Sequence, residues 1–128
     1  MKPDEINDAW EVRQGDVLVV VLDGTQGYEK TGTRPVVVVQ NNGLNGAIDT
    51  AVVAPCTTRR GQTERRPGRP HEVYLAPASG GLEDGTVVDC SQARTVDIDE
   101  RLVATKGWLE DGHLERVLDA MVAVVRGE

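Results

Sequence analysis

Arg34 is the residue whose type and position are most suited to chemistry, because it stands at the entrance to four consecutive valines, Val36–Val39. A guanidinium keeps its charge and can grip a phosphate through two parallel hydrogen bonds. Pro35 biases Arg34 towards an extended backbone, and proline is tolerated at the first residue of a strand. A glycine-rich loop of residues 24–32 leads into the segment. On this segment alone, however, an ion pair with a carboxylate at the edge of a sheet is the stronger interpretation.

Three further polar sites lie at predicted strand ends or in loops: Glu29, Thr57 and the segment Gln92–Thr95. In a small barrel the ends of different strands converge on one rim, so these side chains can face the same ligand as Arg34. Arg34 could stabilise the charge that develops on a pentacovalent phosphorus, and the Thr57 hydroxyl could donate a hydrogen bond to the same group. Glu29 and Gln92 could read base edges, which are accessible in RNA whose bases are unstacked. Each of these signals is weak when it is taken separately.

The elements that must hold these residues are mostly short strands. β-Branched side chains suit a pleated, packed surface, so Val36–Val39 predicts a strand that is buried on both faces. His71–Leu75 alternates polar and apolar residues, as a half-buried strand does. The other predicted strands are Val17–Leu22, Thr50–Ala54, Thr86–Cys90 and Ala93–Val96.

One long helix is predicted, near the end of the chain. Apolar residues recur there at intervals of three and four between Leu114 and Val125, with Asp111 as a suitable N-cap. Trp108 is expected to pack beneath this helix, and a short helix is predicted from Asp99 to Ala104. Helices do not alternate with the strands, so the order predicts a mainly β fold with a C-terminal helix, an SH3-like barrel.

The charge of the chain is unevenly distributed. A net charge of −7 over 128 residues has the wrong sign for a protein that coats nucleic acid nonspecifically. Residues 31–80, however, hold six arginines against three acidic residues, a local charge of +3 that would attract an anion. Five of these arginines lie in a segment predicted to be a solvent-exposed loop: Arg59, Arg60, Arg65, Arg66 and Arg69. We weigh a role in steering phosphate above plain solvation for this loop.

The cysteines and the lengths of the apolar runs indicate the cellular compartment of the protein. Cys56 and Cys90 lack metal-ligand spacing, so we expect free, buried thiols in a reducing compartment and neither a metal nor a cofactor. The longest apolar run, Val17–Leu22, is far shorter than the ~20 residues of a membrane-spanning helix. The first residues show no signal-peptide pattern. We therefore predict a cytoplasmic protein that does not enter a membrane.

Taken in order, the motifs resemble a known family. The segment Gly27–Asn41 is similar to the Gly-x-Glu-x-x-Gly-x-Arg-Pro-x-x-Val segment of MazF/PemK-type toxins, the ribonuclease halves of bacterial toxin–antitoxin pairs. Four other segments match further motifs of that family: Arg13–Val17, Val52–Thr57, Pro70–Leu75 and Gln92–Asp97. The resemblance covers residues 13 to about 126. It predicts a single toxin domain over 13–128, preceded by an extension over 1–12.

This resemblance implies the SH3-like barrel shared by MazF, PemK and CcdB toxins, a homodimer, and sequence-specific cleavage of single-stranded RNA without metal. The products would be a 2′,3′-cyclic phosphate and a free 5′-hydroxyl. Arg34 and Thr57 take the catalytic positions, and the residues predicted to bind RNA are Tyr28, Glu29, Gln92, Arg59, Arg60, Arg65 and Arg66. The implied partner is an antitoxin whose acidic, hydrophobic tail occupies the RNA groove. Ser91 departs from the family pattern, since it replaces a carboxylate that commonly precedes the glutamine.

Two other functions stay open on the sequence. One is a non-catalytic toxin of the same fold that binds a protein target such as DNA gyrase. The other is an RNA-binding domain without activity. The pair formed by Arg34 and Thr57 distinguishes the nuclease, because a pure binding protein has no need for both. Arg94 and Asp97 have a structural interpretation as well, in which they pair with each other or with the backbone.

Overall fold

The valine run lies at the centre of the sheet, as its composition predicts. The computed structural model describes residues 11–24, 26–27, 29, 31–58 and 69–127. Within these ranges Val36–Val39 are at most 8% exposed, so the prediction of a strand buried on both faces is confirmed. Alternate side chains of a strand point to opposite faces, and a run of valines can therefore serve two cores at once.

Seven strands and three helices are present in the described ranges. The strands are β1 (Asp16–Val21), β2 (Thr33–Val38), β3 (Thr50–Thr58), β4 (Glu72–Leu75), β5 (Thr86–Asp89), β6 (Arg94–Asp97) and β7 (Leu102–Trp108). The helices are α1 (Asn42–Asn45), α2 (Ile98–Arg101) and α3 (Asp111–Arg126). A 3₁₀ turn, Cys90–Gln92, connects β5 to β6.

The strands form one antiparallel sheet in the order β4-β5-β3-β2-β1-β7. The long strand β3 pairs with β2 along one edge, and its other edge is shared by β5 at Cys56–Thr58 and β6 at Thr50–Val53. No pairing joins β4 to β7 in the described part of the chain, so the sheet is not closed. The predicted mainly β fold of SH3-like type with a C-terminal helix is confirmed.

The sheet separates two apolar cores. One core packs α3 against the face that carries Val37, Ala54 and Val88, with Val117 of the helix fully buried. The other core lies on the opposite face and contains Val36, Val53 and Val96 together with residues of β1 and α2. Burying such side chains contributes roughly 1.5–3 kcal/mol each. We call this second core the inner core. The candidate site lies on the same face of the sheet.

The predicted helix from Asp99 to Ala104 is wrong in its second half. Helix α2 ends at Arg101, and Leu102 begins β7, which pairs with β1. The short apolar run Leu102–Ala104 is ambiguous between helix and strand, and a partner far away in sequence decides it. Trp108 is also placed differently from expectation, since it is 51% exposed instead of packed beneath α3. Asp111 is the first residue of α3, whose N-cap is Glu110.

Two predictions fall mainly on residues outside the described ranges. Residues 1–10 and 59–68 are not described, so the division into an extension over 1–12 and a domain over 13–128 stays a prediction, and so does the solvent-exposed arginine loop. The two cysteines are free and buried, as expected. None of the described helices combines the length and the apolar character needed to span a membrane.

Candidate active site

The pairing of β2 with β3 places Arg34 beside Thr57. Val36 lies opposite Pro55 in this antiparallel register, so Arg34, two residues earlier, lies opposite Thr57, two residues later. The Arg34 Nη1 donates a hydrogen bond to the Thr57 Oγ1 at 3.3 Å. Both side chains are half-buried. The two residues that the sequence singles out as catalytic are therefore in direct contact.

The Arg34 guanidinium is anchored along one side by backbone carbonyls. Its Nε donates to the Thr31 carbonyl at 3.0 Å, and its Nη1 donates to the Cys56 carbonyl at 3.2 Å. A guanidinium has five N–H donors, of which Nη2 carries two. Nη2 has no acceptor among the described residues, nor does any described carboxylate form an ion pair with Arg34. The side chain is held in one orientation while two donors stay available for an anion.

The Thr57 hydroxyl complements this arrangement. Its oxygen accepts from Arg34, so its own proton is available to donate to a second acceptor. Thr57 lies near the end of β3 and pairs with Val87 of β5, which holds its backbone in place. An oxyanion next to this pair would meet Arg34 Nη2 and the Thr57 O–H together, a donor arrangement suited to a phosphodiester.

A cleft of about 450 Å³ lies close in sequence to the Arg34–Thr57 pair, although neither of these two residues lines it. Pro55 of β3 lines it, and the next residue, Cys56, supplies the carbonyl that holds Arg34. The β1–β2 connection forms one wall and the segment between β5 and β6 forms the other. The lining residues are Leu22, Gly24, Glu29, Pro55, Ser91, Gln92, Ala93 and Arg94. Glu29 and Gln92, both predicted to bind RNA, thus share one cleft.

Glu29 and Gln92 enter the cleft from different elements. Glu29 is exposed, and one of its carboxylate oxygens accepts from the Gln26 backbone N–H at 2.6 Å. The other oxygen is free of any described hydrogen bond and can accept from a base edge. Gln92 is half-buried at the end of the 3₁₀ turn. This turn is held by Asp89, whose carboxylate accepts from the backbone N–H of Ser91 at 3.0 Å and from its hydroxyl at 2.6 Å.

Five of the residues predicted to bind RNA are not placed by the structure. Tyr28, Arg59, Arg60, Arg65 and Arg66 lie outside the described residues. Their proposed contacts with RNA stay predictions. In the described ranges no cluster of three or more His, Cys, Asp or Glu side chains is arranged to hold a metal ion.

Cys56 adjoins Thr57 but is not a candidate nucleophile. Burial and, to a smaller extent, the nearby Cys90 raise the pKa of its thiol to about 12, although Arg34 opposes the shift. Burial likewise raises the pKa of Cys90 to about 12, with Asp89 adding to the effect. The thiolate is the reactive form of cysteine, so both side chains serve as packing residues.

The structure gives roles to two arginines that are not among the predicted RNA-binding residues. Arg94 lines the cleft instead of pairing with Asp97, whose carboxylate caps α2 by accepting from the Glu100 N–H at 3.3 Å. Arg101 of α2 donates to the carbonyls of Val21 at 2.9 Å and Asp23 at 3.4 Å, and so holds the start of the β1–β2 connection. Both assignments depend on contacts between residues far apart in the chain, for which no sequence signal exists.

Comparisons with known proteins give relatives in sequence and in fold. The chain is 32% identical over 110 residues to the endoribonuclease MazF of Staphylococcus saprophyticus, covering 86% of this chain and 88% of that protein. The fold resembles a crystal structure of MazF from Deinococcus radiodurans, with a TM-score of 0.72, 23% identity, and coverage of 91% of this chain and 97% of that one.

A second structural relative is an endoribonuclease from a mycobacterial species in complex with its cognate antitoxin. It has a TM-score of 0.66 at 22% identity and covers 89% of this chain and 94% of that one. The model of the PemK-like, MazF-like toxins matches residues 13–125, nearly the whole chain. The protein therefore belongs to the PemK-like, MazF-like toxin family of type II toxin–antitoxin systems.

Proposed function

We propose that this protein is an endoribonuclease toxin that cleaves single-stranded RNA in a sequence-specific, metal-independent reaction. The observation that carries the proposal is the contact between Arg34 Nη1 and Thr57 Oγ1, close in sequence to an open cleft. The family and the endoribonuclease relative support the same activity. A toxin that acts purely by binding a protein target does not need two adjacent hydrogen-bond donors that are suited to an anion.

The proposed reaction is an internal transesterification. The 2′-hydroxyl of one nucleotide attacks the adjacent phosphorus and loses its proton. The bond to the 5′-oxygen of the next nucleotide breaks, and that oxygen gains a proton. The products are a 2′,3′-cyclic phosphate and a 5′-hydroxyl. Arg34 Nη2 and the Thr57 hydroxyl stabilise the negative charge of the pentacovalent phosphorus, whereas an arginine that keeps its proton is unsuited to act as the base.

The cleft supplies the proposed sequence specificity. Gln92 and the free oxygen of Glu29 offer hydrogen-bond partners to base edges that are exposed in unpaired RNA. The substrate we propose is messenger RNA, which places the activity in the cytoplasm. We also propose neutralisation by a cognate antitoxin, as in the mycobacterial complex. A homodimer is proposed too, and exposed apolar residues of β7 and α3 support it: Val103, Trp108, Val122 and Val125.

The test is incubation of the purified protein with a long RNA in the presence of EDTA. We expect discrete fragments whose 5′ ends are mapped by primer extension. Their 5′-hydroxyl should be labelled directly by a polynucleotide kinase, and their 3′ ends should resist ligation until the cyclic phosphate is removed. Arg34→Ala should reduce the single-turnover rate about a hundred- to a thousandfold, because one preorganised donor group is removed. Circular dichroism and the thermal midpoint confirm that the variant is folded.

Three outcomes would contradict the proposal. Abolition of cleavage by EDTA, with recovery on addition of a divalent metal, would overturn the metal-free reaction. An absence of fragments across several RNA sequences, together with inhibition of a topoisomerase, would instead support the non-catalytic toxin. Cleavage by Arg34→Ala at the wild-type rate would show that Arg34 is not part of the active site.

A further inference from the structure

Arg94 is a half-buried cation for which the described part of the protein offers no partner. No hydrogen bond or ion pair of its guanidinium is present there, and Asp97, the nearest acidic residue in sequence, is engaged with the Glu100 N–H. A buried or half-buried charge is ordinarily paired, because losing water without a replacement costs free energy. The Arg94 guanidinium lines the cleft without a described partner, and it is therefore available to bind an anion from solution.

The sheet places Arg94 on the same face as the catalytic pair. Arg94 lies opposite Val53 of β3, and Thr57 is four residues further along the same strand. Residues separated by an even number on a strand share a face, so Arg94, Val53 and Thr57 all belong to the inner-core side. Four residues at about 3.3 Å each put the two register positions about 13 Å apart. Arg34 approaches β3 from the β2 edge and Arg94 from the β6 edge.

The cleft lined by Arg94 reaches Pro55, two residues before the Thr57 that Arg34 contacts. Pro55 lies between Val53 and Thr57 on β3 and lines the cleft, as do Gln92 and Arg94. The backbone positions of the two arginines are thus offset by about 13 Å along β3. A nucleic acid strand can contact both arginines through different phosphates, because it carries a phosphate on every nucleotide. A nucleotide whose base lies against Gln92 would thus present its phosphate to Arg94.

We propose that Arg94 binds a backbone phosphate of the RNA next to the cleaved phosphodiester and so positions the strand along the cleft. The proposal rests on the proposed nuclease function and names a contact that neither Arg34 nor Thr57 makes. Arg94 touches the substrate away from the reacting atoms. Its contribution is independent of base identity, because it recognises phosphate.

The experiment measures binding and cleavage separately. Binding is followed by fluorescence anisotropy with a labelled RNA whose every ribose is 2′-O-methylated, so that no nucleophile is present. Arg94→Ala should weaken this binding about tenfold or more, since it removes a charge-assisted contact. The slope of log K against log salt should fall by about 0.7, the amount expected for one phosphate of a single strand. Arg94→Lys should retain most of the slope.

Arg126→Ala is the matched control, because it removes one exposed arginine in the last turn of α3. Both alanine variants should keep the wild-type thermal midpoint, since Arg94 has no described partner to lose. Cleavage of a long RNA by Arg94→Ala should slow in proportion to its weaker binding. Cleavage of a dinucleotide, which contains the reacting phosphodiester alone, should proceed at the wild-type rate.

The failures of the two proposals differ. If the wild type cleaves RNA and Arg94→Ala matches Arg126→Ala in affinity and salt slope, the assignment of Arg94 is wrong and the nuclease stands. If the loss is confined to one base and the slope is unchanged, Arg94 reads a base and the phosphate contact is overturned. If the wild type binds RNA through Arg94 without cleaving it, the phosphate contact stands and the nuclease function falls.

Discussion

Arg34 shows how one side chain can be both fixed and available. Two of its nitrogen atoms are bonded to backbone carbonyls and to Thr57, and the third, Nη2, has no described acceptor. Backbone carbonyls hold the group without neutralising it, whereas a carboxylate would compete with the phosphate. The interpretation of Arg34 as a partner for a carboxylate at the sheet edge is therefore not supported among the described residues.

The Thr57 hydroxyl can be tested separately from the shape of its side chain. Thr57→Val replaces the hydroxyl by a methyl group, and we expect the single-turnover rate of RNA cleavage to fall about a hundred- to a thousandfold. Thr57→Ser keeps the hydroxyl and should retain most of the activity. Thr58→Val is the matched control, because it removes an exposed hydroxyl on the opposite face of the same strand. Equal rates for Thr57→Val and Thr58→Val would exclude a role of the hydroxyl in the reaction.

Among the elements, β7 is held in place by a tight turn that contains Gly81. The backbone of Gly81 packs on the Lys106 carbonyl so closely that an added Cβ would overlap it. The φ of Gly81 is +82°, in the left-handed region that disfavours other residues. The approach of this turn to β7 therefore requires glycine for two separate reasons, steric space and backbone conformation.

A pair of glycine substitutions separates these two reasons. Gly24 has a φ of +84° but nothing within 4 Å of an added Cβ, so Gly24→Ala introduces backbone strain alone. We expect it to lower the free energy of unfolding by about 1–2 kcal/mol. Gly81→Ala adds the overlap with β7 and should cost about 3 kcal/mol or more. Urea denaturation monitored by circular dichroism gives both values. Equal losses would mean that the turn yields without disturbing β7.

At the scale of the whole molecule, an acidic chain carries an excess of positive charge in one stretch of its sequence. The net charge is −7, yet residues 31–80 carry +3. Arg94, beyond that segment in sequence, lies on the same face of the sheet as Arg34 through the pairing of β6 with β3. These two arginines would attract an RNA strand to this face of an otherwise acidic protein.

The stability of the whole molecule should depend on pH through a buried carboxyl group. Asp16 is 1% exposed, and burial raises its pKa above the ordinary value of 3.8, although the hydrogen bond from the Arg13 N–H opposes the shift. The folded state then binds the proton more tightly than the unfolded state. The contribution of Asp16 to the free energy of unfolding is therefore largest at low pH and falls as the pH rises above 3.8 through the folded pKa.

Asp16→Asn removes this titration and tests the sign. From acidic to neutral pH, the wild type should lose stability relative to Asp16→Asn, measured by urea denaturation at several pH values. The exposed Asp119→Asn variant, which removes the same charge from α3, serves as the control. A stability difference between wild type and Asp16→Asn that stays constant with pH would contradict the assignment.

The sequence by itself determines the local features of this protein. The valine run requires a strand buried on both faces, the three- and four-residue spacing requires an amphipathic α3, and Arg34 follows from its place before Pro35. These features depend on residues that are neighbours in sequence. The order of the motifs along the chain indicates the family. The predicted strands accordingly match six of the seven observed in the described ranges, with ends that differ by a few residues.

Only the tertiary structure decides the rest, because it depends on pairing between distant segments. The β2–β3 register places Arg34 beside Thr57. The pairing of β6 with the edge of β3 that it shares with β5 places Arg94 in the wall of the cleft. A one-residue slip in either register would move these side chains to the opposite face, and no local pattern specifies it. Strand β7 exists for the same reason, since its short apolar run becomes a strand when β1 supplies the hydrogen bonds.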